Sequence, residues 1–201
     1  MSVLVVGAGG HAKVVVATLQ AAGQVVAGCL DDDPAATGRI VLGVPVLGPV
    51  ALLAAHDGLA ILAVGDNAAR RSLAEAFPGI RWATAIHPAA VVHPTVTVGE
   101  GAVVFAGAIV QPDTEIGRHA IVNTAASVDH DGRIGEYAHV APGVHLSGGV
   151  DVGEGVLLGV GCCVAPGCAV GPWAVVGAGA AVVGDLPAYT TCVGVPARPL
   201  P

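Results

Sequence analysis

A histidine between two carboxylates is the feature of this sequence best suited to chemistry. His130 lies in the run Asp129-His130-Asp131, and a second histidine, His139, follows nine residues later. A carboxylate beside an imidazole favours one tautomer and raises the basicity of the ring, as a general base requires. Adjacent side chains can point apart, so the sequence leaves open whether Asp131, Asp129 or Glu136 supports His130. The plainer alternative is a solvated histidine in a polar turn.

The stretch that carries these residues repeats every six positions. Ile, Val or Leu stands at every sixth residue from Ile86 to Val182, and a small residue usually follows four positions later. This period is typical of a parallel β-helix, whose short strands each point one large and one small side chain inward. Three hexads form a triangular coil, so residues eighteen apart stack at about 4.8 Å. We expect glycines directly after the aliphatic positions, such as Gly99 and Gly117, to provide the backbone conformation of the corners.

The first 84 residues have the pattern of a small α/β domain. An apolar run at residues 3–6 leads into a glycine-rich turn at residues 7–10 and then a helix. Glycines in such a turn let backbone amides approach a phosphate at the positive end of the helix. Polar residues end two further predicted strands near Asp31 and Gly65, at the sheet edge where α/β ligands bind. NAD is the default ligand of such a turn, but the domain is too short for two mononucleotide-binding halves.

Composition excludes several classes of function. The formal net charge of −7 and the aromatic content of 3% argue against a nucleic-acid surface. Residues 155–184 are uncharged, yet glycine and proline recur within them at the hexad corners, so we expect a solenoid and no membrane insertion. The five cysteines form no CxxC pair, which suits reduced thiols in the cytoplasm. His139 and His145 are six apart, and Val103 and Ile109, two coils earlier, supply no third zinc ligand, so we expect no metal.

Four motifs resemble the PglD/NeuD-type family of hexapeptide-repeat sugar acyltransferases. They are Gly-Gly-His-Ala-Lys at 9–13, Leu-Asp-Asp at 30–32, Gly-Asp-Asn-x-x-Arg at 65–70 and Asn-Thr-x-x-x-Val-Asp-His-Asp at 123–131. The resemblance covers essentially the whole chain. It implies an α/β Rossmann-like domain at residues 1–84 followed by a left-handed parallel β-helix at residues 85–201.

The same resemblance implies an activity and an assembly. The expected reaction is acetyl-CoA-dependent N-acetylation of the 4-amino group of a UDP- or GDP-linked amino-dideoxy sugar, for surface glycan synthesis in the cytoplasm. A homotrimer with active sites between subunits is expected as well. Two alternatives stay open: O-acetylation of a sugar of the sialic acid type, and a non-catalytic nucleotide-sugar-binding protein.

Individual roles also follow from the resemblance. His130 would be the general base, with Asp131 raising its basicity, although the enzyme that gives the family its name has Glu at that position. A backbone amide near Gly148 would meet the oxyanion, and the tail at residues 194–198 would reach the adenine end of CoA. The acetyl-CoA contacts would be His139, Gly148, Val160 and Ala178. The nucleotide-sugar contacts would be Gly9, Gly10, His11, Lys13, Asp31, Asp32, Gly65, Asn67, Arg70, Asn123 and Asp129.

Overall fold

The N-terminal domain is a mostly parallel sheet with two α-helices. A computed structural model of the chain describes residues 2–200. The elements are β1 (Ser2–Val6), α1 (Gly10–Ala21), β2 (Val25–Leu30), a 3-10 turn (Pro34–Ala36), β3 (Ile40–Val41), β4 (Val44–Gly48), a second 3-10 turn (Val50–Ala55), β5 (Leu59–Leu62), α2 (Asn67–Ala76) and β6 (Arg81–Trp82). The six-stranded sheet has the order β3-β4-β2-β1-β5-β6, with β3 antiparallel and the other strands parallel. Helix α1 buries an apolar face that includes Val15 and Leu19.

The remainder of the chain is a left-handed parallel β-helix, as the hexad period and the resemblance predict. Each two-residue strand between residues 85 and 182 ends on an aliphatic residue of the ladder, and strands eighteen residues apart pair in parallel, as Val103 does with Ile121. The strands are β7 (Ala85–Ile86), β8 (Val91–Val92), β9 (Thr97–Val98), β10 (Val103–Val104), β11 (Ile109–Val110), β12 (Glu115–Ile116), β13 (Ile121–Val122), β14 (Ser127–Val128), β15 (Arg133–Ile134), β16 (His139–Val140), β17 (His145–Leu146), β18 (Asp151–Val152), β19 (Leu157–Leu158), β20 (Cys163–Val164), β21 (Ala169–Val170), β22 (Val175–Val176), β23 (Ala181–Val182), β24 (Thr191–Val193) and β25 (Arg198–Pro199).

The prism has three faces, and the faces and the corners between them describe where the candidate site residues of the solenoid lie. Face 1 contains β7, β10, β13, β16, β19, β22, β24 and β25. Face 2 contains β8, β11, β14, β17, β20 and β23, and face 3 contains β9, β12, β15, β18 and β21. The segments between strands form corner 1–2, corner 2–3 and corner 3–1, named by the faces they join. Residues 123–126 therefore lie at corner 1–2, and residues 129–132 at corner 2–3.

The glycines of the ladder have a different role from the one expected. Gly99 and Gly117 do not have a positive φ; the left-handed residue comes two positions later, at Gly101 and His119. A Cβ on Gly99 would lie 2.6 Å from the backbone nitrogen of Arg118 in the next coil. The glycine after the aliphatic position is thus required by the close approach of stacked coils and not by the corner conformation.

The stretch that hydropathy alone would flag as a membrane span is part of the solenoid. Residues 155–184 include β19 to β23, and their aliphatic positions point into the core of the prism. Within residues 2–200 no helix has the length and apolar character needed to cross a bilayer. All five cysteines are free thiols, and Cys163 is exposed whereas the other four are buried.

Helix α2 fastens the N-terminal domain to corner 3–1 of the solenoid. The Arg70 side chain is fully buried and donates hydrogen bonds to the carbonyl oxygens of His119 (2.9 Å) and Tyr137 (2.6 Å), one coil apart. The Asn67 amide donates to the carbonyl oxygen of Gly155 (3.0 Å), in the next coil again. Three successive coils are therefore bonded to one helix, which fixes how the sheet edge of the domain faces the prism.

Candidate active site

The imidazole of His130 is oriented by the residue that follows it. His130 Nδ1 donates to Asp131 Oδ2 at 2.7 Å, which leaves the Nε2 lone pair directed away from the carboxylate. Asp131 adopts a left-handed backbone (φ 56°), and this local turn brings its carboxylate back to the ring. The hydrogen bond that His130 donates to Asp131, and then the charge of Asp129, raise the pKa of His130 above its ordinary value. The ring is largely exposed at corner 2–3 and is set up to accept a proton.

The other two carboxylates considered as partners of His130 are placed differently. Asp129 Oδ1 accepts the backbone N–H of His130 at 2.9 Å, so that it holds the main chain and acts on the ring only through its charge. Glu136 follows β15 and lies at corner 3–1. Asp131 is therefore the one of the three that is hydrogen-bonded to the ring.

Gly148 lies against the imidazole of His130. It is the corner 2–3 residue of the next coil, and a Cβ built there would lie 2.7 Å from Cε1 and 2.8 Å from Nε2 of the ring. The neighbouring amide of Gly149 donates to the His130 carbonyl oxygen at 2.9 Å, which ties the two coils together at this point. Only glycine leaves the Nε2 edge of His130 open.

The glycine-rich turn is held in shape by Asp31. The Ala8 amide donates to Asp31 Oδ2 at 2.7 Å, and the Asp33 amide donates to Asp31 Oδ1 at 3.0 Å. Asp32 Oδ1 accepts the Val50 amide at 2.8 Å. Since Gly9 at the N-cap of α1 has no side chain, the first amides of the helix are available to an anion. Gly9, Gly10 and Lys13 are exposed beside this turn.

The first turn of α1 meets the solenoid near corner 1–2. The His11 ring packs edge-on against Phe105 with centroids 5.5 Å apart, and its centroid lies 6.1 Å from that of His139. Burial, and then the charge of Arg70, lower the pKa of both histidines to about 4, so both rings are neutral at physiological pH. Nε2 of His11 is buried and has no hydrogen-bond partner within residues 2–200.

His139 joins the two domains through a defined tautomer. Asn123 Oδ1 accepts the Thr124 amide at 2.8 Å, so its Nδ2 donates to His139 Nε2 at 3.0 Å. The other nitrogen, Nδ1, then carries the proton and faces the Gly65 carbonyl oxygen at 3.3 Å. His139 and Asn123 therefore position the end of β5 on the prism, in addition to any contact with acetyl-CoA.

Arg70 and Asn67 are the predicted nucleotide contacts that the geometry argues against. Arg70 Nη1 donates to the carbonyl oxygens of Val64 and Gly65, and Nη2 donates to Asn67 Oδ1 (2.8 Å) as well as to Tyr137. With Nε bonded to His119, no N–H group of the guanidinium remains for a ligand. The Asn67 amide is likewise committed to the solenoid. Both residues hold the domains together, and burial lowers the pKa of Arg70 to about 10, which leaves it charged at pH 7.

The remaining predicted contacts fall at two different corners of one chain. Val160 and Ala178 are exposed at corner 1–2, on the same edge of the prism as Asn123. His130, Asp131 and Gly148 lie at corner 2–3, so that face 2 separates the two groups.

Two buried aromatic rings near the junction did not stand out in the sequence as functional. Phe105 carries the contact to His11, and its place directly after a ladder position was the only signal. His119 is fully buried, stacked on Tyr137 (5.3 Å between centroids) and edge-on to Trp82 (5.2 Å). Burial, and then the charge of Arg118, lower the pKa of His119 to about 4.

Comparisons with known proteins agree with this architecture. The model of the PglD N-terminal domain matches residues 2–77. The chain is 44% identical to PerB from Caulobacter crescentus, solved in complex with CoA and GDP-perosamine, over 100% of this chain and 98% of that one, with a TM-score of 0.95. It is 40% identical to the acetyltransferase domain of PglB from Neisseria gonorrhoeae FA1090, solved with acetyl coenzyme A, over 99% of this chain and 98% of that one, with a TM-score of 0.94.

A curated relative shares only part of its length with this chain. Uncharacterized protein L142 of Acanthamoeba polyphaga mimivirus is 29% identical over 103 residues, which is 51% of this chain and 21% of the relative. The two solved structures, in contrast, are matched over nearly their whole length and carry both domains. The chain belongs to the PglD/NeuD-type family of sugar acyltransferases.

Proposed function

We propose that this chain transfers the acetyl group of acetyl-CoA to the 4-amino group of a nucleotide-linked amino-dideoxy sugar, with a GDP-linked sugar as the first candidate. The observation that carries the proposal is the oriented and exposed His130, with Nδ1 bonded to Asp131 and Nε2 open above Gly148. The relative at 44% identity, PerB, was solved with CoA and GDP-perosamine, which supports both the acyl donor and the nucleotide.

The proposed chemistry needs one base and no protein nucleophile. His130 Nε2 accepts a proton from the sugar amine as its nitrogen attacks the thioester carbonyl carbon, and a new C–N bond forms. A backbone amide near Gly148 stabilises the oxyanion of the tetrahedral intermediate. When the C–S bond breaks, the protonated His130 returns the proton to the departing CoA thiolate. The glycine-rich turn, ordered by Asp31, and Lys13 hold the diphosphate of the sugar nucleotide.

We further propose that the site is shared between subunits of a homotrimer. The nucleotide edge of the N-terminal domain, with His11, Asn123 and His139, lies at corner 1–2, whereas His130 lies at corner 2–3 on the other side of face 2. A sugar held at corner 1–2 of one chain reaches His130 only if corner 2–3 of a neighbour is placed against it. The resulting groove contains Val160 and Ala178 on one wall and Gly148 on the other, as an elongated CoA molecule needs.

The domain boundary and the cellular compartment belong to the same proposal. The boundary between the domains falls at residues 84–85, which is supported by the end of β6 at Trp82 and the start of β7 at Ala85. The enzyme acts in the cytoplasm, which is supported by five cysteines that are all free thiols.

The test is release of CoA thiol with a panel of GDP- and UDP-linked 4-amino sugars, compared with hydroxyl analogues of the same sugars. We expect turnover with at least one amino sugar, an amide product that resists hydroxylamine as an ester does not, and a loss of about 10²–10⁴-fold in His130→Ala. Turnover with hydroxyl sugars alone would favour O-acetylation. Binding of a sugar nucleotide without release of CoA from any acceptor would leave a non-catalytic binding protein.

A further inference from the structure

Face 2 of the prism presents a column of outward side chains that contains no charged residue. The strands of this face pair in register, so their first residues stack one above another at about 4.8 Å. We call this the face 2 column; from the N-terminal coil upward it consists of Val91, Ile109, Ser127, His145, Cys163 and Ala181.

The equivalent column of face 3 has the character of a solvated surface. Glu115 lies on it, and Arg133 pairs with Asp151 at 2.9 Å. Val91 is 64% exposed and Ile109 40% exposed on face 2, and the face lacks any such ion pair within residues 2–200. A face of this composition is suited to contact with protein.

The shared site of the proposed trimer determines where face 2 points. Corner 1–2 of each chain meets corner 2–3 of the next, and these two corners bound face 2. When three chains close a ring through that contact, face 2 of every chain turns towards the three-fold axis. Each residue of the face 2 column then faces the axis and its two symmetry copies.

One layer of this column contains side chains of the types that serve as metal ligands in proteins. Ser127 Oγ and His145 Nδ1 are 2.8 Å apart, so the hydroxyl can accept the Nδ1 proton and leave the Nε2 lone pair of His145 free. Cys163 is exposed on the adjacent strand, directly in register with His145. Within residues 2–200 a single chain groups no three His, Cys, Asp or Glu side chains as a metal site, so symmetry copies are needed to complete one.

We propose that three copies of His145 bind a zinc-type divalent cation on the axis of the trimer, with the thiolate of one Cys163 as the fourth ligand. Imidazole and thiolate are the ligands that zinc prefers, and three imidazole nitrogens from three chains can occupy three positions of a tetrahedron. The hydroxyl of Ser127 orients each imidazole from behind. The site lies away from His130 and would bind the three chains to one another. This inference depends on the trimer of the proposed function.

The experiment uses the full chain without an affinity tag, incubated with ZnCl₂ and then gel-filtered. Zinc is measured by mass spectrometry, and the molar mass by light scattering. We expect a trimer with about one zinc per three chains, and a rise in the thermal midpoint on adding zinc. His145→Ala and the milder His145→Gln should lose the bound zinc, and Ser127→Ala should weaken zinc binding about 10-fold or more. In the cobalt-loaded protein, Cys163→Ser should remove the thiolate charge-transfer absorption.

His93→Ala is the matched control. His93 Nδ1 also has a hydroxyl partner, Thr95 Oγ1 at 3.0 Å, but it lies at corner 2–3 of the first coil and away from the axis. The zinc content of the His93→Ala protein should equal that of the wild type. A trimer that releases CoA but holds no more zinc than His145→Ala would overturn the metal site and leave acetyl transfer intact. A chain that is not trimeric would overturn both the metal site and the shared active site.

Discussion

The Asp131 carboxylate has two effects on His130, and they can be separated by experiment. Its position fixes the imidazole with the proton on Nδ1, and its negative charge stabilises the protonated ring. The first effect depends on an oxygen acceptor, and the second on a full charge. Both side chains are largely exposed, so solvent screens the electrostatic part.

Asp131→Asn should keep the orientation and remove the charge. His130 must be neutral to accept a proton, and the neutral fraction rises with pH through its pKa. Because the carboxylate raises that pKa, its removal should move the acidic limb of kcat/KM to lower pH and reduce the plateau about 10-fold, since the ring becomes a weaker base. The pH profile measures both effects.

Asp113→Asn provides the control for this substitution. Asp113 has the same left-handed conformation (φ 58°) at corner 2–3, one coil earlier, and Asn tolerates it equally well. Its profile should match the wild type. An unshifted acidic limb in Asp131→Asn would mean that Asp131 does not tune the base.

Gly148→Ala should disable the base without unfolding the solenoid. The new methyl group would lie within 2.8 Å of two atoms of the His130 ring, so the imidazole must rotate away from its hydrogen bond with Asp131. We expect kcat to fall at least about 10-fold with an unchanged thermal midpoint. Gly184→Ala, at the same corner with no atom within 4 Å of the added Cβ, should retain full activity. Equal activity of the two variants would contradict the close packing of Gly148 on the base.

At the scale of elements, the contact between α2 and corner 3–1 fixes the position of the nucleotide edge. The Arg71 guanidinium pairs with Glu154 at 3.0 Å. It also lies 5.6 Å from the centroid of the Trp173 ring, which extends the contact to a further coil. These surface contacts contribute little by themselves. The buried guanidinium of Arg70 is different, because its loss leaves several carbonyl oxygens without donors in a region that water does not reach.

Arg70→Lys should therefore be far from conservative. An ammonium group has three donors and cannot match the planar arrangement that reaches both His119 and Tyr137. We expect a loss of about 3 kcal/mol or more in the free energy of unfolding, measured by urea denaturation. Arg81→Lys, which alters a single exposed hydrogen bond to Asp57, should change stability by less than about 0.5 kcal/mol. Similar values for the two variants would contradict the role of Arg70 at the junction.

The repeating elements could be predicted from the sequence, and the contacts between domains could not. The ladder from Ile86 to Val182 repeats one local choice many times, so period alone located the strands. Arg70 bonds to carbonyl oxygens 49 and 67 residues away, and no local pattern reports such partners. The family resemblance, and no local pattern of residues, predicts Arg70 as a nucleotide-sugar contact.

Part of the candidate site was predictable for the same reason. The hydrogen bond from His130 to Asp131 is local and follows from one left-handed residue. Gly148 packs on that ring from the next coil, at the eighteen-residue spacing that the ladder predicts. The short distance between them depends on the rotamer of His130, which the spacing does not predict. The sequence does not distinguish the close-packed glycines, such as Gly99, from the left-handed ones, such as Gly101, because glycine is frequent at both positions of the hexad.

At the scale of the whole molecule, one chain carries two half-sites that face in different directions. Helix α2 and His139 hold the nucleotide edge near corner 1–2, whereas His130 lies at corner 2–3 on the other side of face 2. In the proposed trimer the two half-sites combine across a contact between chains, which makes a prediction that depends on symmetry and not on any single side chain.

Mixing His130→Ala with Asn123→Ala should restore activity above that of either variant alone. His130→Ala inactivates corner 2–3, whereas Asn123→Ala weakens corner 1–2 by removing the hydrogen bond to His139. In a cyclic trimer that contains both kinds of chain, one of the three contacts joins an intact corner 1–2 to an intact corner 2–3. Random mixing in equal amounts gives such trimers in about three quarters of cases, so co-refolding should recover about a quarter of the wild-type rate of CoA release. If both half-sites of an active centre came from one chain, the mixture would show no more than the average of the two separate variants, and the shared site would have to be abandoned.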